Sequence, residues 1–351
     1  MDIFNIYLPV AGIEFNVLLL LLIGFCVGVL AGFFGVGGGW IVTPALNIFG
    51  FPMAFAIGTD LSNIFGQSIG AVKKHHKMGN IDWKLGIISI VASVIGLEIG
   101  SQAVMALEKA GDIGSIVRVC YLFLMFGLGA FMLYDYFKLN PKRSKQNEDK
   151  QAGKPKKIKK ISIAKKLHKI NLPPMISFPV SGVESVSLWI VLFVFLFTGF
   201  LSGFLGVGGG FIRMPALVYL IGVPTVIGIG TDLMSVLFAG AYGCFTYAMK
   251  GRVEFIAAFI LLIGSSIGVQ IGANAVKYIK GYGIRLLFAL MIIFAGISIA
   301  LEQIYKVTAF SEYQISSKIV LMSTAVLMTI IIITNLIVES RKEKVKKSGL
   351  A

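Results

Sequence analysis

Long uncharged apolar runs alternate along this chain with short polar breaks; Val186–Gly210 and Ile319–Val338 are two of them. About 20 such residues cross the roughly 30 Å hydrocarbon core of a bilayer as a helix. An open strand cannot, because its backbone groups find no partners in lipid. The pattern predicts helical spans at about 16–34, 40–51, 53–73, 84–106, 114–137, 186–206, 211–222, 225–248, 254–277, 283–302 and 317–338. The segment 138–185 carries Lys, Ser, Gly and Pro with little apolar periodicity, and reads as a linker.

A repeat organises these spans. Gly32–Leu46 recurs as Gly203–Leu217, with eleven of fifteen positions identical. The echo continues: Gly50-Phe51-Pro52 with Gly222-Val223-Pro224, Ile57–Leu61 with Ile229–Leu233, Gly79–Asp82 with Gly251–Glu254, and Arg118 with Arg285. A repeat of this extent marks a fold built from duplicated units. Each half holds five spans and an eleventh follows, so the halves are expected to be inverted. Secondary transporters use that architecture, with the site at the repeat interface. The expected fold is therefore an all-α polytopic membrane protein. It comprises a first repeat over 1–137, a basic linker over 138–185, a second repeat over 186–305, and an extra span with a basic tail over 306–351.

Composition agrees, with 56% hydrophobic and 14% charged residues, against about 25% charged in soluble domains. The net charge of +15 suggests nucleic acid until its distribution is seen. Lys138–Lys169 holds 13 Lys/Arg against Glu148 and Asp149, and much of the remainder sits in Glu339–Lys347. Lys142–Lys160 has no aromatic residue, whereas nucleic-acid surfaces combine basic charge with stacking rings. Basic loops beside spans report orientation instead. Placing 138–185 in the cytoplasm puts Lys73–Lys77 and the C-terminal tail there as well. It leaves the N-terminus outside, where Asp2 and Glu14 precede the first span and no Lys or Arg does. The same charges favour contact with anionic lipid. Cys26, Cys120 and Cys244 show no metal-ligand spacing, and no cofactor is expected.

Each half also carries Gly-Val-Gly-Gly-Gly ahead of a short apolar stretch containing Pro. Such a run is a poor helix. The chain is expected to unwind there and restart near Trp40 and Phe211. Non-helical backbone at membrane depth must be buried in protein or face a polar cavity, and a restarted helix aims free N–H groups and a positive dipole end into it. Gly37, Gly38, Gly39, Gly208, Gly209 and Gly210 are thus candidate anion-site residues; tight helix packing is the alternative. Packing is the reading for Gly24, Gly28, Gly32 and for Gly264, Gly268, Gly272, which are spaced four apart. The run fails the GxGxxG pattern and no Gly-Lys-Ser/Thr follows, which argues against a nucleotide loop.

The paired glycine and Pro-Ala-Leu motifs, the Gly-Thr-Asp-Leu echo and the central hydrophilic loop resemble the sulfite exporter TauE/SafE family, over roughly residues 17–305. The resemblance implies transport of small, mostly sulfur-containing or organic acid anions, with proton coupling an open possibility. An anion channel, or a membrane-embedded enzyme or scaffold, is the alternative. No nucleophile–base constellation lies in the spans and no His is expected in them.

Arg213 stands in the first turn after the second glycine run, and Thr43 in the turn after the first. A buried guanidinium suits a multi-oxygen anion; a salt bridge to Asp232 is the other reading. Asp60 and Asp232 read either as helix N-caps or as carriers of a coupling proton. Asn63 and Gln67 share a helix face with Asp60 and are candidate pathway residues. Glu98, matched to Gln270, is a candidate proton carrier or a neutral packing group. His75 and His76 read as solvated loop residues.

Overall fold

The computed structural model describes residues 4–111, 113–139, 172–278 and 281–347. The first half begins with a β-hairpin, β1 (Asn5–Leu8) and β2 (Ile13–Asn16), followed by α1 (Val17–Phe34), α2 (Gly39–Ile48), α3 (Met53–Lys77), α4 (Trp83–Ala110) and α5 (Ile113–Tyr134). A π turn, Asp135–Leu139, extends α5. The second half repeats the order: β3 (Met175–Phe178), β4 (Val183–Ser187), α6 (Leu188–Leu205), α7 (Gly210–Ala216) with a π turn Leu217–Ile221, α8 (Thr225–Met249), α9 (Phe255–Ala275) and α10 (Gly281–Thr308). The last helix is α11 (Ser311–Lys347). The chain is an all-α polytopic membrane protein. Among the described residues, eight helices are long and apolar enough to cross a membrane: α1, α4, α5, α6, α8, α9, α10 and α11.

Three expected spans are not among these. α3 has 25 residues, long enough to cross, and its hydropathy is lowered by a polar face, Asp60, Asn63, Gln67 and Ser68, that is buried among the other helices. α2 has ten residues and α7 seven before its π turn. Ten residues rise about 15 Å, half the hydrocarbon core, so neither short helix spans it alone. Of the linker expected at 138–185, residues 140–171 lie outside the described residues, and 172–187 fold back as the second hairpin rather than as a linker. Phe178, Val183 and Val186 pack there with Leu85 of α4.

Glycine sets the main contacts. Gly24, Gly28 and Gly32 of α1 meet Leu261, Ser265 and Val269 of α9 in the same order, so the two helices run in one direction. A Cβ on Gly28 would sit 2.6 Å from the Ser265 Cα. The same register joins α6 to α4, where Gly199 and Gly203 meet Ser93 and Leu97. Each half therefore packs its first helix on the fourth helix of the other. In lipid such contact is driven by van der Waals packing, and small residues let the backbones approach.

Matched polar contacts hold the loops between them. Thr59 accepts the backbone N–H of Glu254 at 3.0 Å, and Thr231 accepts that of Asp82 at 3.0 Å. Glu254 in turn accepts the N–H groups of Val10 and Ala11, in the first hairpin's turn. Asp82 accepts the hydroxyl of Ser181, in the second hairpin's turn, at 2.6 Å, and its other oxygen caps α4 at Leu85. The Gly79–Asp82 echo in the sequence thus ties each hairpin to the opposite half.

Candidate functional site

The helices break where the glycines predict. Gly35 and Gly206 close α1 and α6 at φ 75° each. Gly37, Gly38, Gly208 and Gly209 follow at φ 72°, 84°, 64° and 78°. These left-handed values suit glycine and disfavour side chains. Gly38 and Gly209 are the N-caps of α2 and α7, and no side chain caps either end. The first N–H groups of each restarted helix have no acceptor in their own helix. The chain turns back at each break. Phe15 at the start of α1 lies edge-on to Phe49 and Phe51 beyond the end of α2, and Gly37, Thr43 and Met53 follow α3 back towards its start.

The two turns meet. A Cβ on Gly39 would lie 2.7 Å from Val207 Cα, and one on Gly210 would lie 2.6 Å from Val36 Cα. These two glycines face the opposite turn's backbone. Gly37 and Gly208 face Ile64 and Val236, Gly38 faces Val27 and Gln67, and Gly209 faces the guanidinium of Arg213.

Polar side chains cluster around this contact. Arg213 is fully buried, 3.5 Å from the equally buried Asp232. Its Nε donates to the Thr198 hydroxyl at 3.4 Å, and its guanidinium lies 5.9 Å from the Phe195 ring centre. The sequence register aligns Arg213 with Val42 and Met214 with Thr43, so this charge occurs once. On the first-half side, the Thr43 hydroxyl donates to Asp60 at 2.8 Å and lies 3.3 Å from the Gly206 carbonyl. Asn63 accepts the Ser265 hydroxyl at 2.9 Å. Gln67 donates to the Gly37 carbonyl. Several buried atoms here have no hydrogen-bond partner: Trp40 Nε1, Asp60 Oδ1, Asn63 Nδ2, Gln67 Oε1, both terminal nitrogens of Arg213 and both oxygens of Asp232. Buried polar atoms are ordinarily satisfied, so this group is a concentration of exceptions.

Two sequence readings are overturned here. Asp60 and Asp232 are not helix caps. Pro52 and Pro224 occupy the cap positions of α3 and α8, and the aspartates lie two turns inside. His75 is neither solvated nor in a loop: it is buried within α3, with Nε2 3.3 Å from the Gly32 carbonyl. Its repeat counterpart Tyr247 donates to the Gly203 carbonyl at 2.7 Å. That pair was legible only as Tyr247 matching His75 in the repeat. His76 is exposed and lies edge-on to Trp83.

Glu98 sits apart from the glycine turns, between α4 and α8. It accepts from Gln102 at 2.6 Å and Tyr242 at 3.0 Å. Lys250 beside it donates to Ser101 at 3.0 Å. Next to this group lies an open cavity of about 500 Å³ lined by Gln102, Met105, Glu108, Lys109, Lys250 and Arg252. Arg252 Nε donates to both Glu108 oxygens, at 2.9 and 3.0 Å.

Comparison with known proteins identifies the fold's relatives. The sequence profile of the sulfite exporter TauE/SafE family matches residues 20–299. The chain belongs to that family. This TauE/SafE member is 30% identical over 288 residues to the probable membrane transporter protein MJ0441 of Methanocaldococcus jannaschii, covering 74% of this chain and 89% of that protein. It is 21% identical over 304 residues to the probable membrane transporter protein YunE of Bacillus subtilis, covering 82% and 98%. No solved structure gives a significant match to it. The TauE/SafE chain is a multi-pass membrane transporter.

Proposed function

We propose that the protein is a secondary transporter that moves a small anion, namely sulfite, a sulfonate or a related organic acid anion, across the cell membrane. The substrate binds at the paired glycine turns, with Arg213 as its cationic contact and the starts of α2 and α7 supplying N–H groups. The carrying observation is Arg213 itself. A guanidinium removed from water is costly unless its hydrogen bonds are completed, and here its two terminal nitrogens lack partners although Asp232 is 3.5 Å away. An oxyanion of several oxygens supplies bidentate acceptors for that fork. Thr43, Asn63 and Gln67 offer further polar contacts on the first-half side.

The reading takes 1–137 and 186–305 as inverted repeats. It is supported by the same-direction packing of α1 on α9 and α6 on α4, and by the two hairpins held by opposite halves. The N-terminus then lies outside, and the central loop and the C-terminal tail are cytoplasmic. Single cysteines introduced between Lys154 and Lys169, in a background lacking Cys26, Cys120 and Cys244, should resist a membrane-impermeant maleimide in intact cells. Labelling there from outside would sink the inverted arrangement.

The transport reading is tested in proteoliposomes with a panel of labelled anions headed by sulfite; failure to move any member of the panel rejects it. In the same system, Asp60→Asn, Asp232→Asn and Glu98→Gln separate binding from coupling. A carboxylate that carries the coupling proton should, when neutralised, abolish pH-gradient-driven uptake and spare sulfite binding. Full gradient-driven uptake in all three variants would remove these groups from coupling.

A further inference from the structure

Two acid–base pairs occupy matched positions at opposite ends of the α5–α10 contact. At one end Arg285 donates to Asp135 Oδ2 at 2.9 Å, and the Tyr219 hydroxyl donates to the same oxygen at 2.9 Å. In the repeat register Arg118 stands for Arg285, and Glu302 for Asp135. The second pair is not joined. Arg118 donates through Nε to Gln303 at 2.8 Å and through Nη1 to Asn47 at 3.1 Å, and it makes no ion pair with Glu302. Glu302 is 1% exposed, and neither of its oxygens has a hydrogen-bond partner. Glu302, Arg118, Asn47 and Tyr121 line a small cavity of about 10 Å³, about the space that one water occupies.

The groups that face Glu302 are basic or neutral. Arg118 and Tyr121 come from α5, Asn47 from α2 and Lys318 from α11. Lys306, on its own helix and 45% exposed, forms an ion pair with Glu302 at 3.7 Å. A charged carboxylate buried without hydrogen bonds is costly. The ion pair with Lys306 supplies charge without a hydrogen bond; the hydrogen bonds can be supplied by Arg118 turning to the carboxylate, by a metal cation or by a proton. Arg118, Lys306 and Lys318 around the carboxylate repel a metal cation, which leaves the other two as alternating states.

We infer that Glu302 is a proton-binding carboxylate of this transporter, a site distinct from the glycine turns. With a proton on Glu302, Arg118 stays with Asn47 and Gln303. When the proton leaves to solution, the carboxylate draws Arg118 away and forms the pair that Asp135 and Arg285 form at the far end. The exchange reaches the transport machinery through two contacts. Asn47 lies in the last turn of α2, and Tyr121, beside Arg118 in the cavity, donates to the Leu205 carbonyl at 2.7 Å, next to the second glycine turn. The coupling consequence rests on the transporter reading above; the proton site does not.

Infrared difference spectroscopy across a pH titration of the purified protein in lipid tests the site without any substrate. The parent should show the carbonyl stretch of a protonated carboxylic acid. Glu302→Gln should lose that band, Glu302→Asp should shift it, and Asp135→Asn should keep it. Identical spectra for the parent and folded Glu302→Gln overturn the inference. In proteoliposomes with labelled sulfite, Glu302→Gln should lower pH-gradient-driven accumulation by about 10-fold or more, equivalent to about 1.4 kcal/mol, while sulfite-for-sulfite exchange continues. Unchanged accumulation, or an equal loss of exchange, overturns the coupling role. A parent that exchanges no sulfite counts against the substrate reading, and the infrared result still decides Glu302.

Discussion

Arg213→Ala is expected to weaken anion binding by about 10- to 150-fold, because hydrogen bonds to a charged group contribute about 1.5–3 kcal/mol and each 1.4 kcal/mol is tenfold. The geometry adds a second effect. Asp232 would be left buried without its countercharge, and breaking one side of a buried ion pair costs about 3–5 kcal/mol of stability. The two effects separate in the double variant Arg213→Gln/Asp232→Asn, where no unpaired charge remains. Its Tm should recover towards the parent's while sulfite affinity stays low. Arg213→Lys should restore affinity only in part, since an ammonium cannot form the planar fork. Calorimetry with sulfite and thermal unfolding on the purified variants give both readouts. If the folded double variant binds sulfite as tightly as the parent, Arg213 serves only to neutralise Asp232 and the anion sits elsewhere.

Gly209→Val and Gly38→Val should each reduce transport by roughly 100-fold or more, equivalent to at least about 2.8 kcal/mol. Two causes combine at each position. The backbone stands at φ 78° and 84°, where a β-branched residue is strained by about 1–3 kcal/mol. The new side chain also runs into the Arg213 guanidinium at Gly209 and into Val27 at Gly38. Gly79 and Gly251 separate the causes, because they hold φ 70° and 65° but have open space where a Cβ would be. Gly79→Val and Gly251→Val should therefore carry the strain alone and keep most transport. Equal transport loss in all four variants would show that backbone strain, and not contact at the turns, controls activity.

Much of this architecture is legible in the sequence because lipid leaves few options. The glycine runs predicted both helix breaks, and the four-residue glycine spacing predicted close helix packing at Gly24–Gly32 and at Gly264–Gly272, since only small residues let two backbones meet; that these two faces meet each other was not predicted. The two β-hairpins were not legible. Their strands are four or five residues long, and Val183–Ser187 runs straight into the apolar run of α6. The short length of α7 was also hidden, because the apolar run to Ile221 continues across its π turn. Within the site, the repeat located Arg213, Asp60 and Asp232, but local rules offered a cap reading for the aspartates that the fold overturns. A Gly-Thr-Asp triplet before an apolar run reads as a cap when the Pro that caps each helix eight residues before the aspartate is overlooked. His75 was misread because the adjacent lysines suggested a solvated turn, whereas its burial depends on Gly32, which is distant in sequence.

The crossed packing of the halves also constrains how the chain can be made. The glycine face of α1 has no permanent partner until α9 is synthesised, roughly 220 residues later, which at about 5–20 residues per second is about 10–45 s. During that interval the glycine face of α1 and the Asn63 side chain, which meets Ser265 of α9, lack the partners they have in the finished fold. Two separately expressed halves should be unstable alone and should rescue each other only when they are present together during insertion.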